Sequence, residues 1–373
     1  MPDERMLTAP ARLMVIGVGG GGGNAVDRMY NRRVSGVELV AVNTDAQVLE
    51  VVQAQRSLQI GRKLTSGLGA GGNPEIGRAA AEESHEEVLD LLEGVDMAFI
   101  TCGMGGGTGT GAAPVIAALA KEAGILTMGI VTRPFSFEGL ARAEKAEAGI
   151  ARLSQSVDAL ITISNDKLLK VAPPDTPITR AFEMADEVLR KGVEGISDLI
   201  TVPGMINLDF ADIESVIRDA GTAMMGIGEA EGEGKTKDAA RNAIFSPLLD
   251  GSIKGARKVI MNITGGADLT LEEVTEAASL IREAVSDRAD IIFGTAIRDG
   301  MEKVRLTIIA TGFSMSYSGD EESTSIGDET MLAKLEQESR TGVHDLDIPT
   351  FLRRSRKGRE EQRTPSRWKE PRD

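Results

Sequence analysis

Cysteine occurs once in this 373-residue chain, at Cys102, so a framework of internal disulfides is excluded. Histidine occurs twice, at His85 and His344, and with no cysteine cluster beside them a structural zinc site lacks its ligand set. Aromatic residues make up 3% of the chain, so any core must be filled by Val, Ile, Leu, Ala and Met. No stretch approaches the roughly 18 uninterrupted apolar residues of a membrane-crossing helix, and residues 1–11 lack the apolar run of a signal peptide, so the expectation is a soluble, cytoplasmic protein without membrane insertion. Positive charge is also in deficit: 42 Lys and Arg stand against 57 Asp and Glu, a formal net charge of −15. That balance argues against nonspecific nucleic-acid binding, which needs a basic surface to displace counterions. It leaves room for a bound nucleotide, because backbone amides can hold phosphates without Lys or Arg.

What the chain has in excess is glycine, 43 residues, beside a hydrophobic fraction of 41%. Short apolar runs at 13–18, 37–42, 95–101, 125–132 and 157–163 alternate with helix-period segments at 25–34, 75–92, 111–123 and 139–153. This alternation predicts βαβ units around a mostly parallel sheet, a Rossmann-type domain over residues 12–176. A long helix is expected over 177–202, with Pro177 suited to its first turn and Pro203-Gly204 ending it. Strands at 220–228, 258–264, 291–296 and 304–311, with helices at 236–245 and 271–285, make a smaller α+β domain over 203–315. Residues 316–343, rich in Ser, Gly, Glu and Asp, read as a disordered linker, 344–373 as a compact motif with a net basic tail, and 1–11 as a flexible N-terminus.

The glycines cluster at strand ends. The first run, Gly17 to Asn24, follows a strand and precedes a helix; Gly17, Gly19 and Gly22 satisfy G-x-G-x-x-G, with Asp45 ending the next strand. Alone, this loop suits a nicotinamide-dependent dehydrogenase equally well. A second glycine-rich loop, Gly103 to Gly111, follows the strand at 95–101, and a third, Gly67 to Pro74, could close over the site. Tight turns explain one such cluster; several at strand ends point to a ligand with contiguous phosphates held at helix N-termini. Gly234-Lys235-Thr236 fails as a P-loop because Glu229 stands where the earlier glycine is required, and its acidic surroundings place it at the surface.

The run GGGTGTG at 105–111 resembles the signature of the tubulin/FtsZ family. The surrounding ITCGMGGGTGTGAAPVIA, with GVGGGGGNAV from Gly17, AVNTDAQ from Ala41, RPFSFEG from Arg133, ISNDKLL from Ile163 and NLDFADI from Asn207, is similar to its FtsZ branch rather than to eukaryotic tubulin. The resemblance spans roughly residues 12 to 315 and resumes at 345–354. Cys102 departs from the family's usual small nonpolar residue and is expected to be a buried, inert thiol.

The resemblance implies a tubulin-like fold and a GTPase that polymerises head to tail into the bacterial division ring at midcell, using GTP/GDP and Mg²⁺. By motif, Gly20, Gly21, Gly22, Gly23 and Asn24 with Gly107, Thr108 and Gly109 hold the phosphates; Glu138 and Arg142 lie at the ribose and phosphate edge; Asn165 and Asp186 recognise guanine; Phe182 lies against the base. Asn207, Asp209 and Asp212 act in trans on the neighbouring subunit's GTP. No protein side chain is assigned to the metal, which the resemblance places on the GTP phosphates.

The residues carry part of this independently. Asp186 and Phe182 are four apart and share an otherwise apolar helix face, where a carboxylate needs a partner; guanine's N1–H and 2-amino group would supply one, and so would a neighbouring side chain. Asp209 and Asp212, three apart, suit a helix N-cap as well as they suit orienting a water for attack on a phosphate. From Asp186 to Ile200 a helix advances roughly 21 Å at about 1.5 Å per residue, which puts these acids out of reach of their own chain's phosphates. A contact that does not close on itself then gives a filament.

Residues 345–354, DLDIPTFLRR, resemble the family's C-terminal peptide, which docks on membrane-tethering and regulatory division proteins. Leu346, Ile348, Phe351 and Leu352 are its apolar anchors. Arg353, Arg354, Arg356, Lys357 and Arg359 favour an anionic surface, diluted by Glu360 and Glu361. Two other readings stay open: the dehydrogenase, which leaves the second loop and the acid pair without jobs, and an assembling paralogue that does not hydrolyse.

Overall fold

The computed structural model describes residues 11–202, 208–249, 251–298 and 300–313. In chain order the elements are β1 (Leu13–Val18), α1 (Gly19–Asn31), β2 (Val37–Asn43), α2 (Ala46–Val51), β3 (Arg56–Gln59), α3 (Arg62–Thr65), α4 (Pro74–Glu83), α5 (His85–Leu92), β4 (Met97–Gly103), α6 (Thr108–Glu122) and β5 (Leu126–Arg133). A single 3₁₀ turn (Ser136–Glu138) leads to α7 (Leu140–Ser156), β6 (Ala159–Ser164), α8 (Asn165–Leu169) and the long α9 (Ile178–Thr201). Then come α10 (Phe210–Ile217), β7 (Gly221–Ala230), α11 (Lys235–Ile244), β8 (Lys258–Gly265), α12 (Leu271–Ala284), β9 (Asp290–Ile297) and β10 (Val304–Thr311).

The strands form one sheet in the order β3-β2-β1-β4-β5-β6-β7-β10-β8-β9. From β3 to β6 every pairing is parallel. β7 joins the two halves: Gly221–Ala223 pairs parallel with β6, and from Met224 onward the strand pairs antiparallel with β10. β10 is antiparallel to β8, and β8 parallel to β9.

Central parallel strands are covered on both faces, which is why β1 is buried at all six positions and reads as a continuous apolar run. Its period of two divides the core. Leu13 and Val15 pack with Phe99, Met128 and Val193 on the side of α1 and α9, while Met14 and Ile16 pack with Ile100, Ile116 and Leu153 on the side of α4 to α7. A third cluster joins α11 and α12 to β7, β8 and β10 through Ala239, Ala243, Met261, Ile281 and Ile308. Gly228 permits that contact, since a Cβ there would lie 1.9 Å from the Ala239 carbonyl oxygen. Cys102 is buried in β4, and burial pushes its thiol up to about 12, the inert thiol expected of it.

Three expectations are corrected, and two short elements had no sequence signal. The helical pattern at 25–34 begins earlier than the sequence indicates: α1 starts at Gly19 and runs through the glycine cluster, although glycine is a poor helix former. The single helix over 75–92 is two, α4 and α5, separated at Ser84, whose hydroxyl accepts from the Gly61 amide at 3.1 Å. The short β3, exposed at Arg56 and Ser57, and the six-residue α2 leave no run long enough to show periodicity. Lys235 is not on the surface: it opens α11, is 7% exposed, and its ammonium bonds to Asp268 at 2.5 Å and to the Glu302 carbonyl. The acceptors that allow this lysine to be buried come from 33 and 67 residues away, outside the acidic run that suggested solvent.

The helix α9 carries a second code beneath its apolar one. Arg190 bonds to Glu187 and Glu194 at 2.7 Å each. Arg305 on β10 reaches Glu194 and Glu229 at 2.9 Å, Lys191 reaches Glu229 at 2.8 Å, and Arg298 clasps both oxygens of Asp198. Glu194, 7% exposed, thus serves Arg190 and Arg305, with Arg298 3.8 Å away, and fixes α9 against the antiparallel half of the sheet. No helix among the described residues is long and apolar enough to cross a membrane. Removing one member of a buried ion pair leaves its partners uncompensated. Glu194→Ala is expected to lower stability by about 3–5 kcal/mol, read as a shift in the chemical denaturation midpoint.

Candidate functional site

β1 and β4 are hydrogen-bonded neighbours, with Gly17 opposite Thr101, although β2, β3 and α1 to α5 all lie between them in sequence. Chain order reverses between them, β2 lying on one side of β1 and β4 on the other, and such a switch point is where open α/β sheets bind ligands. Each strand ends at the same edge and passes into a helix. Neither α1 nor α6 has a side-chain cap or an acidic residue in its first turn. Their free N–H groups and partial positive charges therefore face one space unneutralised, a setting for an anion.

The glycines have two separable roles here. Gly19, at φ +72°, would put a Cβ 2.8 Å from the Gly109 amide; Gly22 would meet the Thr101 carbonyl at 2.4 Å; Gly21 and Gly109 are similarly close to the Gly103 backbone. These let the two loops pack on each other. Gly20 and Gly106 have nothing within 4 Å of a Cβ position. The fold itself does not require glycine at either, but a ligand lying against bare backbone does. Thr108, the first residue of α6, shares a hydrogen bond of 2.7 Å with the Thr44 hydroxyl.

The third loop lies along the second. A Cβ on Gly107 would be 2.9 Å from Ala70 and from the Asn73 amide, one on Gly111 would be 1.9 Å from the Pro74 carbonyl, and Lys145 on α7 donates to the Gly72 carbonyl at 2.7 Å. Asn73 caps α4 through the Glu75 amide. On the other flank, Arg142 pairs with Glu138 at 3.1 Å, and its side chain packs against Gly105 so closely that a Cβ there would be 2.7 Å away. Glu138 also accepts from the Phe135 amide at 2.8 Å.

At the far side of the cradle, Phe182 stands edge-on to Phe135 and Phe137, with ring centroids 5.3 and 6.4 Å away, and keeps 40% of its surface open. An exposed aromatic face braced by two rings is a platform for a planar group. Asn165, 5% exposed at the start of α8, has a buried Oδ1 without a hydrogen-bond partner among the described residues. Such an acceptor costs free energy unless something donates to it. Asp186 already has a protein partner, Arg28 on α1, whose Nε donates to Oδ2 at 3.1 Å. Burial pushes the Asp186 carboxyl up to about 6, with Arg28 pulling it down and Glu183 adding to the rise. A cavity of about 810 Å³, with Asn24 and Arg28 in its lining, opens between α1, α8, α9 and β7.

Contacts link Gly105 to Arg142, Arg142 to Glu138, Glu138 to Phe135, Phe135 to Phe182, and Asp186 to Arg28 on α1; of the residues expected at the nucleotide, the cavity lining includes Asn24. Arg28 escaped the sequence because its partner is 158 residues away. Asp45, the acid a dinucleotide fold would use on a ribose, caps α2 through one oxygen, which accepts from the Gln47 and Val48 amides. The acid pair lies elsewhere. Asp209 caps α10 by accepting from the Asp212 amide at 2.8 Å, and Asp212 accepts in return from the Asp209 amide at 3.2 Å. One oxygen of each carboxylate takes no part in that box, Asp209 is exposed, and Asn207 lies outside the described residues. Among the described residues no cluster of three or more His, Cys, Asp or Glu is placed to hold a metal ion.

The two glycine roles separate experimentally. Gly20→Ala is expected to leave the melting temperature nearly unchanged while weakening nucleotide binding about tenfold or more; Gly22→Ala is expected to cost about 1–3 kcal/mol of stability by overpacking. Thermal melts and a nucleotide titration on each variant check both.

Residues 12–173 match the model of the tubulin/FtsZ family GTPase domain, and residues 221–314 match the FtsZ family C-terminal domain. Among solved structures, an empty FtsZ dimer from M. jannaschii is 45% identical with a TM-score of 0.79, the match covering 82% of this chain and 89% of that one. A tryptophan-to-tyrosine mutant of FtsZ from the same organism is also 45% identical, with a TM-score of 0.78, covering 82% and 92%. The GDP-bound CetZ1 monomer from Haloferax volcanii shares the fold at 23% identity and a TM-score of 0.71, covering 88% and 99%. This chain belongs to the FtsZ branch of the tubulin/FtsZ family of GTPases.

Proposed function

We propose that GTP lies with its phosphates between the N-termini of α1 and α6 and its base against Phe182, where Asn165 and Asp186 read guanine, and that hydrolysis waits for a second copy of the chain. The division of labour is that of the family: residues 12–176 bind nucleotide, 177–202 form the axle, and 203–315 present the acids. The single observation that carries the reading is the separation of the two halves of the site along one helix. α9 has 24 residues, about 36 Å at 1.5 Å per residue. Asp186 sits near its start, and Asp209 and Asp212 follow its end.

In the assembled filament the parts act in sequence. The uncapped N–H groups of α1 and α6 hold the phosphates, and Arg142 lies at their edge. Mg²⁺, if bound with the nucleotide, would supply charge neutralisation and so let the carboxylates of Asp209 and Asp212 approach the phosphates. From the neighbouring subunit, the oxygens of Asp209 and Asp212 that the capping box leaves free orient a water, with Asn207 assisting, in a reaction that depends mainly on positioning and charge. The M. jannaschii relative in dimeric form supports self-association. The filament in turn is the scaffold of the division ring at midcell, with residues 345–354 reaching membrane-tethering and regulatory proteins across the linker; the tail lies outside the described residues. The match of residues 12–173 to the tubulin/FtsZ GTPase domain speaks against the dehydrogenase. A paralogue that assembles without hydrolysing, the remaining alternative, does not need both acids.

Asp212→Ala is expected to keep GTP affinity near the parent value and to lose about 10²-fold or more in phosphate release. Sedimentation with GTP, GDP or ATP in the presence of Mg²⁺ should show pelleting specific to GTP. Hydrolysis at full rate by a dilute, unassembled parent protein would remove the role of the second subunit.

A further inference from the structure

The contact between Arg28 and Asp186 concerns the guanine end of the site. One guanidinium nitrogen, Nε, donates to one carboxylate oxygen, Oδ2, at 3.1 Å, and another nitrogen lies 3.7 Å from Oε1 of Glu183. The contact is one-pronged, so Oδ1 and a second lone pair of Oδ2 remain able to accept. The pairing edge of guanine donates twice in parallel, from N1–H and from the 2-amino group. Only an ionised carboxylate offers two acceptor oxygens; a protonated one has turned an oxygen into a donor. Adenine presents an acceptor at N1 and is refused by the same pair of oxygens.

The surroundings oppose ionisation. Asp186 is 8% exposed, and burial has moved its carboxyl to about 6. The charged groups that face it are Arg28 from α1 and, on its own helix, Glu183, a like charge that Arg180 holds at 2.8 Å. Arg28 works against the burial, and it comes from the helix whose first turn forms the phosphate cradle.

We propose that Arg28 is a positioning residue for base recognition, holding one oxygen of Asp186 so that the carboxylate faces guanine as a two-oxygen acceptor. The inference rests on the reading that guanine meets Asp186. It makes α1 a link between the two ends of the nucleotide: its N-terminus meets phosphate, and its last turns hold the group that selects the base. Discrimination by unpaired or mismatched buried polar groups is stronger than discrimination by shape, so a held carboxylate is an efficient selector.

The sign of the pH dependence follows. The folded pKa of Asp186 lies above the ordinary 3.8, so the acceptor form is present above about 6 and is lost as the pH falls through it. Without Arg28 the remaining influences, burial and Glu183, both raise the value, and the loss begins at higher pH.

The test titrates the full chain with GDP and with inosine diphosphate, which lacks the 2-amino group, by calorimetry between about pH 5.5 and 8. Both nucleotides carry the same phosphates, so the ratio of affinities cancels phosphate ionisation. In Arg28→Gln the midpoint of the GDP preference is expected to move up by about one pH unit, and near pH 7 the preference should fall about twofold. Arg28→Lys, which restores the charge, is expected to return the midpoint toward that of the parent. An equal loss of preference at every pH, an unshifted midpoint in Arg28→Gln, or a failure of Arg28→Lys to restore it overturns the proposal. A parent protein that binds both nucleotides equally, or an Asp186→Asn variant with an unaltered ratio, instead overturns the assignment of guanine to Asp186, and that result is read without any Arg28 variant.

Discussion

Two helix N-termini must share one small space, and most of the architecture can be traced to that requirement. It is met by setting β1 beside β4 and letting both strands run straight into helices, α1 without any loop and α6 after a short glycine turn. The backbones then approach so closely that Cβ atoms at Gly19 or Gly22 would collide with the opposite strand and loop. Glycine is a costly residue inside a helix, by about 1 kcal/mol relative to alanine, and of the five at the start of α1, packing against Thr101, Gly103 and Gly109 accounts for Gly19, Gly21 and Gly22, while Gly20 and Gly23 have room for a Cβ. Uncapped helix ends are the complementary cost. A fold that leaves both unpaired at one spot has reserved them for an anion.

Length is the second requirement. α9 runs from the base platform at Phe182 to the segment before the acid pair, and it is fixed along the way by ion pairs rather than by apolar contacts alone. Buried ion pairs contribute uncertain net stability, because desolvation offsets attraction, yet they tolerate little displacement. With Glu194 held by Arg305 on β10, and Asp198 by Arg298, sliding the helix by one turn would separate both of these pairs at once. The shared strand β7, parallel to β6 at one end and antiparallel to β10 along the rest, carries the same rigidity through the sheet. A change at the nucleotide end of α9 therefore has a stiff path to the other end.

Charged groups that enter the interior do so beside a partner in the main cases: Lys235 with Asp268, Asp158 with Lys121, Asp186 with Arg28. Four buried atoms lack a hydrogen-bond partner among the described residues, Asn165 Oδ1 with Thr101 Oγ1, Arg241 Nε and Asn262 Oδ1.

The amino-acid sequence by itself determined the alternating α/β order, the strand positions to within two residues for most of the sheet, and the glycine loops that border the cradle, because period and turn chemistry are local properties. It also contained the acid pair, but not the choice between a cap and a catalytic role, since a capping box uses one oxygen of each carboxylate and leaves the other unassigned. Tertiary structure decided the rest. The early start of α1, the division at Ser84, the burial of Lys235 and the pairing of Asp186 with Arg28 all depend on groups far apart in the chain. Propensity and charge pattern describe a residue's preference in water; which preference is overruled is set by the neighbour that folding delivers, and no local pattern names that neighbour.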